Sequence, residues 1–126
     1  MDPESAPTAL AALRIAVGGG AWLTPNLASR LFGLDPDRNP QAPYLGRLFG
    51  VRDVALAAGT LASEGRARRS WLVAGLACDV ADTAAALLGR RGGYLSTPVS
   101  LMLAAPALAA VGMVVVALRG AEQSEA

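Results

Sequence analysis

The sequence predicts an all-α integral membrane protein, a bundle of four membrane-spanning helices. Three observations carry this prediction. The 126-residue chain is 53% hydrophobic and 17% charged, with a mean hydropathy of +0.40, whereas soluble domains usually carry about 25% charged residues. Four apolar segments of roughly 17 to 21 residues are each long enough for a helix to cross the hydrocarbon core. Stretches rich in proline, glycine or charge separate these segments.

The predicted spans cover residues 8–24, 43–63, 70–89 and 98–118. The last of them contains no charged residue and is the clearest, since the other three each contain charge. We expect one four-span domain over 1–126, with polar tails at 1–7 and 119–126. A soluble helical bundle with a very apolar core is the alternative, which the uncharged fourth segment disfavours.

The segments between the spans have the composition of loops. Residues 25–42 hold three prolines and two aspartates, and the first part of this stretch is amphipathic enough to lie in the membrane interface. Residues 64–69 predict a short charged turn. Residues 90–97 contain a glycine pair and end in Thr97, which together with the following proline is a typical helix start.

Composition excludes several classes of function. The net charge of +1 leaves no basic face for a nucleic-acid partner. The chain has no histidine, the commonest metal ligand and general base, so neither a metal nor another cofactor is predicted. Cys78 is the single cysteine, which rules out an intrachain disulfide and a cysteine metal cluster.

We expect a multi-pass protein of the cell (inner) membrane, in contact with the lipid bilayer. Arginines between the spans are balanced between the two sides, so the positive-inside rule gives a tie. The compact basic cluster within 64–69 favours placing that loop and both termini in the cytoplasm. Four aromatic residues near the span ends fit an interfacial belt: Trp22, Tyr44, Trp71 and Tyr94.

Six charged residues fall inside the predicted spans: Arg14, Arg47, Arg52, Asp53, Asp79 and Asp82. An unpaired charge at the bilayer centre costs about 2.5 to 3.5 kcal/mol on insertion scales. Six such penalties would leave insertion of the spans into the bilayer only marginally favourable. We therefore expect these side chains to face the bundle interior and to pair with one another.

Counting residues from each loop places these charges at one depth. An antiparallel hairpin of the second and third spans brings Arg52 level with Asp79 or Asp82. The same count for the first and second spans brings Arg14 level with Asp53. The sequence therefore predicts two kinds of ion pair, Arg52 with Asp79 or Asp82, and Arg14 with Asp53.

Small residues predict close helix packing, which is how helices associate in lipid. They form three groups: Gly18, Gly19 and Gly20; Gly46 and Gly50; and Ala77, Ala81 and Ala85. For the triple glycine, tight packing is favoured over an unwound helix that lines a cavity.

Asp79 and Asp82 lie three residues apart on one helix face, where two carboxyl groups can share a proton and act as acid and base. Asp53 would be a second carboxylate beside them. Arg14 and Arg52 would orient a polar group of the substrate.

The leading hypothesis is a site that binds a lipophilic small molecule, with acid–base chemistry such as isomerisation, cyclisation or epoxide opening. Arg47 joins the substrate-binding candidates, although its position near a span end favours reaching towards the interface. The alternative is a non-catalytic accessory or assembly subunit whose buried charges are structural, as a homo-oligomer or with a membrane complex partner. A small oligomeric transporter is the third hypothesis.

Three stretches resemble a family of small four-span bacterial and fungal membrane proteins of unknown function, which is similar to the broader DoxX-like group. They are "ALRIAVGGGAWLTPNLASRLFGLDP", "YLGRLFGVRDVALAAGTL" and "CDVADTAAALLG". The most specific part is "RLFGVRD", at 47–53, followed by the aspartate pair. The resemblance covers most of 9–118 and implies a four-helix membrane bundle. Its shared polar centre would be Arg47, Arg52, Asp53, Asp79 and Asp82.

Some DoxX-like proteins are associated with quinone-linked redox complexes. This chain has no redox cysteine pair and no histidine to hold a haem. The resemblance therefore implies a fold and a polar centre for this chain, and it does not imply that redox role.

Overall fold

The computed structural model describes residues 1–125, with side chains described through residue 123. Five α-helices follow one another, and no strand occurs within these residues, so the all-α prediction is confirmed. The helices are α1 (Ala6–Leu23), α2 (Pro25–Leu31), α3 (Ala42–Ala62), α4 (Gly65–Arg91) and α5 (Thr97–Glu125). The four predicted spans correspond to α1, α3, α4 and α5.

Helices α4 and α5 are longer than predicted. The turn expected at 64–69 is instead the first turn of α4, which begins at Gly65. From this turn, Arg68 Nε donates to the carbonyl oxygens of Thr60 (3.1 Å) and Ser63 (2.7 Å) at the end of α3. The tail expected at 119–126 is helical through Glu125 and rests on the N-terminal segment, where Pro3 lies against Gly120. Residue 126 lies outside the described residues.

Helix α2 forms within the segment predicted as a loop. Pro25 occupies its first turn, where a missing N–H leaves no helical hydrogen bond unmade. Leu27 and Leu31 are exposed on α2 while Ser29 is buried against the bundle. An interfacial position for α2 stays a prediction.

The four long helices pack as two close pairs, α1 with α3 and α4 with α5. Lesser contacts between α3 and α4 and between α1 and α5 close the ring, so α1 and α4 face each other across the bundle axis. The apolar core lies at the end that carries the termini, where Leu10, Leu72 and Val114 pack among alanines. The polar cluster described below lies nearer the middle.

Gly18 and Gly50 allow α1 and α3 to approach closely. A Cβ atom on Gly18 would lie 2.7 Å from the Gly50 carbonyl oxygen, and one on Gly50 would meet the Gly18 carbonyl oxygen. Cβ atoms on Gly19 and Gly20 would meet nothing within 4 Å. Helix α1 stays continuous through all three glycines, so the packing interpretation is confirmed at Gly18.

The packing expected for Ala77, Ala81 and Ala85 is wrong within this chain, because all three are exposed. Asp79 faces the bundle interior, and a residue two positions away lies about 200° around the helix, on the opposite face. The inward face of α4 is built from other small residues, including Gly75 and Ala86.

Large apolar side chains point outward and small or charged ones point inward, the reverse of a soluble bundle. Ten of the fourteen buried hydrophobic residues are alanine. Large exposed residues line the helix flanks, for example Ile15, Val51, Val80, Leu101 and Leu108. This distribution is typical of helices packed in lipid.

In the described part of the chain, three helices are long and apolar enough to cross a membrane: α1, α4 and α5. Helix α3 does not meet the same criterion, because its 21 residues include Arg47, Arg52 and Asp53. The four aromatic residues expected to form a belt are all exposed, with Trp22 near the end of α1 and Tyr44 near the start of α3.

Candidate functional site

Five of the six charged residues of the predicted spans meet in one cluster between α1, α3 and α4. Three are buried, with 3% of Arg14, 6% of Asp53 and 3% of Asp79 exposed. Arg52 and Asp82 are half-buried: 32% of the Arg52 side chain and 27% of the Asp82 side chain are exposed. The expectation that the charges face inward and pair therefore holds for these five.

Arg14 spans the bundle axis from α1 to α4. Its Nη1 donates to Asp79 Oδ1 at 3.2 Å and its Nη2 donates to Asp79 Oδ2 at 2.6 Å, a bidentate pair. Nη1 also donates to Asp53 Oδ1 at 3.2 Å, as level counting predicted. The bidentate partner, Asp79, is one of the two alternatives that the sequence predicts for Arg52, and it is not predicted for Arg14.

Gly75 makes room for that guanidinium, which sequence reasoning missed. A Cβ atom at position 75 would lie 2.7 Å from Arg14 Nη2. The sequence signal that could have identified Gly75 is its spacing, because a residue four positions before Asp79 lies on the same helix face. A glycine beside a buried acid on one face leaves space for a large partner.

Arg52 forms the second bidentate pair, with Asp82. Its Nη1 donates to Asp82 Oδ1 at 3.0 Å and its Nη2 donates to Asp82 Oδ2 at 2.5 Å, which agrees with the predicted alternative. The guanidinium lies over the Phe49 ring, 4.8 Å from the ring centre, a cation–π contact. Its Nε is buried without a hydrogen-bond partner in the described part of the chain.

Asp53 lies between the two arginines without a bidentate partner. Its Oδ1 accepts from Arg14 at 3.2 Å and from Arg52 at 3.5 Å. Asp79 and Asp82 each have their own arginine, so the arrangement does not single them out as a proton-sharing pair. The close approach of α1 and α3 holds Asp53 in place, since a Cβ on Gly18 would lie 2.7 Å from Asp53 Cβ.

Arg47 lies apart from the cluster. It is exposed, and its Nε donates to the Trp22 carbonyl oxygen at 3.2 Å. This position matches the interfacial interpretation, and the structure does not bring Arg47 to the other candidate residues.

A small cavity of about 30 Å³ borders the cluster, which is room for about two water molecules. Its polar wall consists of Arg14, Asp53, Asp79 and Asp82. Its apolar wall comes from the side chains of α1, α3 and α5, among them Phe49, Leu103 and Pro106.

A second cavity of about 540 Å³ lies beside the first, between α2, the loop that follows it, α3 and α5. Its lining is mostly apolar, and Phe49, Leu103 and Pro106 line both cavities. These three side chains therefore form the partition between the larger cavity and the charges. Sequence reasoning did not find Phe49, because an aromatic residue amid an apolar span carries no distinguishing pattern.

Two further findings concern metal and thiol chemistry. Among the side chains described, those of residues 1–123, no group of three or more acidic, histidine or cysteine side chains is arranged to hold a metal ion. Cys78 is a free, half-buried cysteine next to Asp79.

Comparison with families of known proteins, with curated proteins and with solved structures gives no match to this chain.

Proposed function

We propose that the chain is a four-span protein of the cell membrane, with α3 as the fourth span and both termini in the cytoplasm. A 21-residue helix is about 31 Å long, enough to cross the hydrocarbon core. Two of the three charges of α3, Arg52 and Asp53, are paired within the bundle, and Arg47 lies within five residues of the helix start. Pairing and end position reduce the insertion cost of α3. Such a bundle agrees with the resemblance to the DoxX-like group.

Within that bundle we propose a site for a lipophilic small molecule. The observation that carries this proposal is the adjacency of two spaces: an apolar cavity of about 540 Å³ and a wall of three aspartates and one arginine. Ligand sites are typically apolar hollows of about 300 to 1,000 Å³ with a few convergent polar groups. The ligand body would fill the larger cavity, and its polar group would pass Phe49 to reach the cluster.

The chemistry that this cluster supports is proton transfer at a polar group held in an apolar cavity. Asp53, Asp79 and Asp82 are the candidate acids and bases, and Arg14 and Arg52 orient the group or stabilise a developing anion. Isomerisation, cyclisation and epoxide opening are the matching reaction classes. Of the three carboxylates, Asp53 is the most available for such a step, because it has no arginine of its own.

One observation favours the alternative of a structural accessory subunit. The two bidentate ion pairs join the α1/α3 pair of helices to α4, where side-chain packing between α3 and α4 is sparse. In that case the charges hold the two helix pairs in register, and a protein partner would accompany the chain.

The deciding experiment compares compounds that copurify with the protein and with two glycine variants. Gly46→Leu fills the larger cavity, since a Cβ at position 46 meets only the Ala21 carbonyl oxygen, at 4.0 Å. Gly112→Leu is the matched control, because its Cβ would meet nothing within 4 Å. We expect mass spectrometry of the extracts to detect a lipophilic compound with the wild type and the control, and at least tenfold less of it with Gly46→Leu.

Equal amounts with both variants would contradict a site in this cavity. A protein that copurifies in fixed ratio, with no compound in the wild-type extract, would favour the accessory subunit.

A further inference from the structure

The polar cluster carries one more negative charge than positive charge. Arg14 and Arg52 supply two cations, and the three aspartates supply three carboxylates. Each arginine is matched by its own bidentate aspartate, Asp79 or Asp82. The unmatched carboxylate is Asp53.

No other described side chain offsets this charge. Helix α5 presents only apolar residues to the cluster, among them Leu103, Pro106 and Ala107. The charged residues of α5 with described side chains, Arg119 and Glu122, lie near its far end. The remaining titratable neighbour on α4 is the thiol of Cys78. An unmatched carboxylate in an apolar interior is costly and takes up a proton or a cation.

Asp53 has the geometry to hold that proton or cation. Its side chain is 8% exposed. Oδ1 accepts both arginine bonds, whereas Oδ2 accepts no hydrogen bond from the residues that the structure describes. Asp53 is one of the residues that line the small cavity, so its side chain borders space for a water molecule or a small cationic group.

The larger cavity is a mostly apolar space next to the small one, and no carboxylate lines it. Its lining contains one charged residue, Arg38, whose side chain is 88% exposed in the loop, and no carboxylate. A cation with a large apolar body can therefore place its body there and direct its charge past Phe49 towards Asp53.

We propose that the ligand of this site is a lipophilic monocation, such as a protonated amine, and that it displaces a proton from Asp53. The inference rests on the proposed function, since it assigns the charge of the ligand that fills the apolar cavity. In the exchange, the O–H bond of the Asp53 carboxyl group breaks and the proton leaves to water. The cation then pairs with the carboxylate; no covalent bond forms and no electron is transferred. The cluster is neutral before and after.

The test uses three probes that share a phenylbutyl body and differ in the charge of the terminal group: phenylbutylammonium, the neutral phenylbutanol and the anion phenylbutyrate. Binding to the detergent-purified full chain is measured by calorimetry in buffers with different ionisation enthalpies, which counts the protons released. We expect phenylbutylammonium to bind with release of about one proton. Its affinity should fall about tenfold for each pH unit lowered in the range where Asp53 is protonated.

Two variants assign the proton to a residue. Asp53→Asn keeps the shape of the side chain and removes its titration, so we expect weaker cation binding without proton release. Asp37→Asn is the control, because Asp37 is an exposed carboxylate, 79% accessible, outside the cluster. It should bind and release protons as the wild type does. If Asp53→Asn does not fold, the wild-type proton count still tests the exchange itself, because binding of the cation without proton release overturns it.

The remaining outcomes separate this inference from the proposed function. Cation binding without proton release or pH dependence overturns the exchange. Equal binding of the neutral phenylbutanol or of the anion phenylbutyrate, lost in Gly46→Leu, overturns the cation inference and leaves the lipophilic site standing. Absence of binding for all three probes overturns both proposals.

Discussion

Arg14→Met removes the cation that links α1 to α3 and α4, and we expect it to lower the free energy of unfolding by about 4 kcal/mol at pH 7. Arg14 is 3% exposed and donates all three of its cluster hydrogen bonds to Asp53 and Asp79. Its loss leaves Asp79, also 3% exposed, without a counter-ion. The stranded carboxylate avoids a buried charge by binding a proton.

The size of the effect follows from the free energy of holding that proton. An aspartic acid in water releases its proton near pH 3.9, and each pH unit above that value adds about 1.4 kcal/mol, so holding the proton at pH 7 costs about 4 kcal/mol. This value agrees with about 3 to 5 kcal/mol for removing one partner of a buried ion pair. The folded variant then binds one proton that the unfolded chain has released. Its penalty should therefore shrink by about 1.4 kcal/mol per unit as the pH falls from 7 to 5.

The assay is equilibrium unfolding in mixed micelles with increasing dodecyl sulfate, followed by circular dichroism at pH 7, 6 and 5. Arg38→Met is the control, because that side chain is 88% exposed and 3.7 Å from Asp35; we expect a change within about 0.5 kcal/mol. Adding Asp79→Asn to Arg14→Met should recover part of the loss and remove its pH dependence, since no carboxylate is then stranded. The reasoning is refuted if Arg14→Met is as stable as the control, or if its penalty does not change with pH.

Two further predictions concern the helix contact and the N-terminal turn. Gly18→Ala should destabilise the protein by about 2 kcal/mol, because its Cβ meets backbone 2.7 Å away. Gly19→Ala should stabilise the protein by up to about 1 kcal/mol, because a Cβ atom at position 19 meets nothing within 4 Å. If both substitutions change the free energy of unfolding in dodecyl sulfate in the same direction, the close contact of α1 with α3 at Gly18 is contradicted. Hydrogen bonds from the backbone N–H and the hydroxyl of Ser5, each 2.8 Å, hold the pKa of Asp2 below its ordinary value of 3.8. Ser5→Ala should raise the pKa of Asp2 towards that value in an NMR titration, and a lowered or unchanged pKa would contradict the prediction. In the wild type, these two hydrogen bonds stabilise the N-terminal turn at pH values above 3.8. This stabilisation is lost as the pH falls through the lowered pKa of Asp2.

Two of the predicted ion pairs follow from counting along the chain, and the bundle contains both. Arg14 reaches Asp53 and Arg52 reaches Asp82 because each pair lies on long helices that follow one another along the chain, α1 and α3 with only the short α2 between them, and α3 and α4. Level counting works for such neighbours, since the loop length fixes their relative depth. It does not extend to Arg14 and Asp79, which lie on helices that meet across the bundle axis.

The sequence also did not predict how α4 is rotated about its own axis. The alanines at 77, 81 and 85 have the spacing of a packing face, yet they are exposed because Asp79 turns the opposite side of α4 inward. Spacing along one helix indicates which residues share a face, whereas the direction of that face depends on which neighbour supplies the stronger partner. The arginines on α1 and α3 supply it here.

The sequence by itself determined the helical class, the apolar character and the inward pairing of five of the six charged residues in the predicted spans. These properties follow from composition and from the cost of a lone charge in an apolar medium, which no arrangement of the helices can change. Only the tertiary structure decided which arginine each aspartate meets, that Asp53 has no bidentate partner, and that Phe49 separates two cavities. Those features depend on how closely α1 approaches α3 and how α4 is rotated, and such distances arise from contacts among all four long helices together.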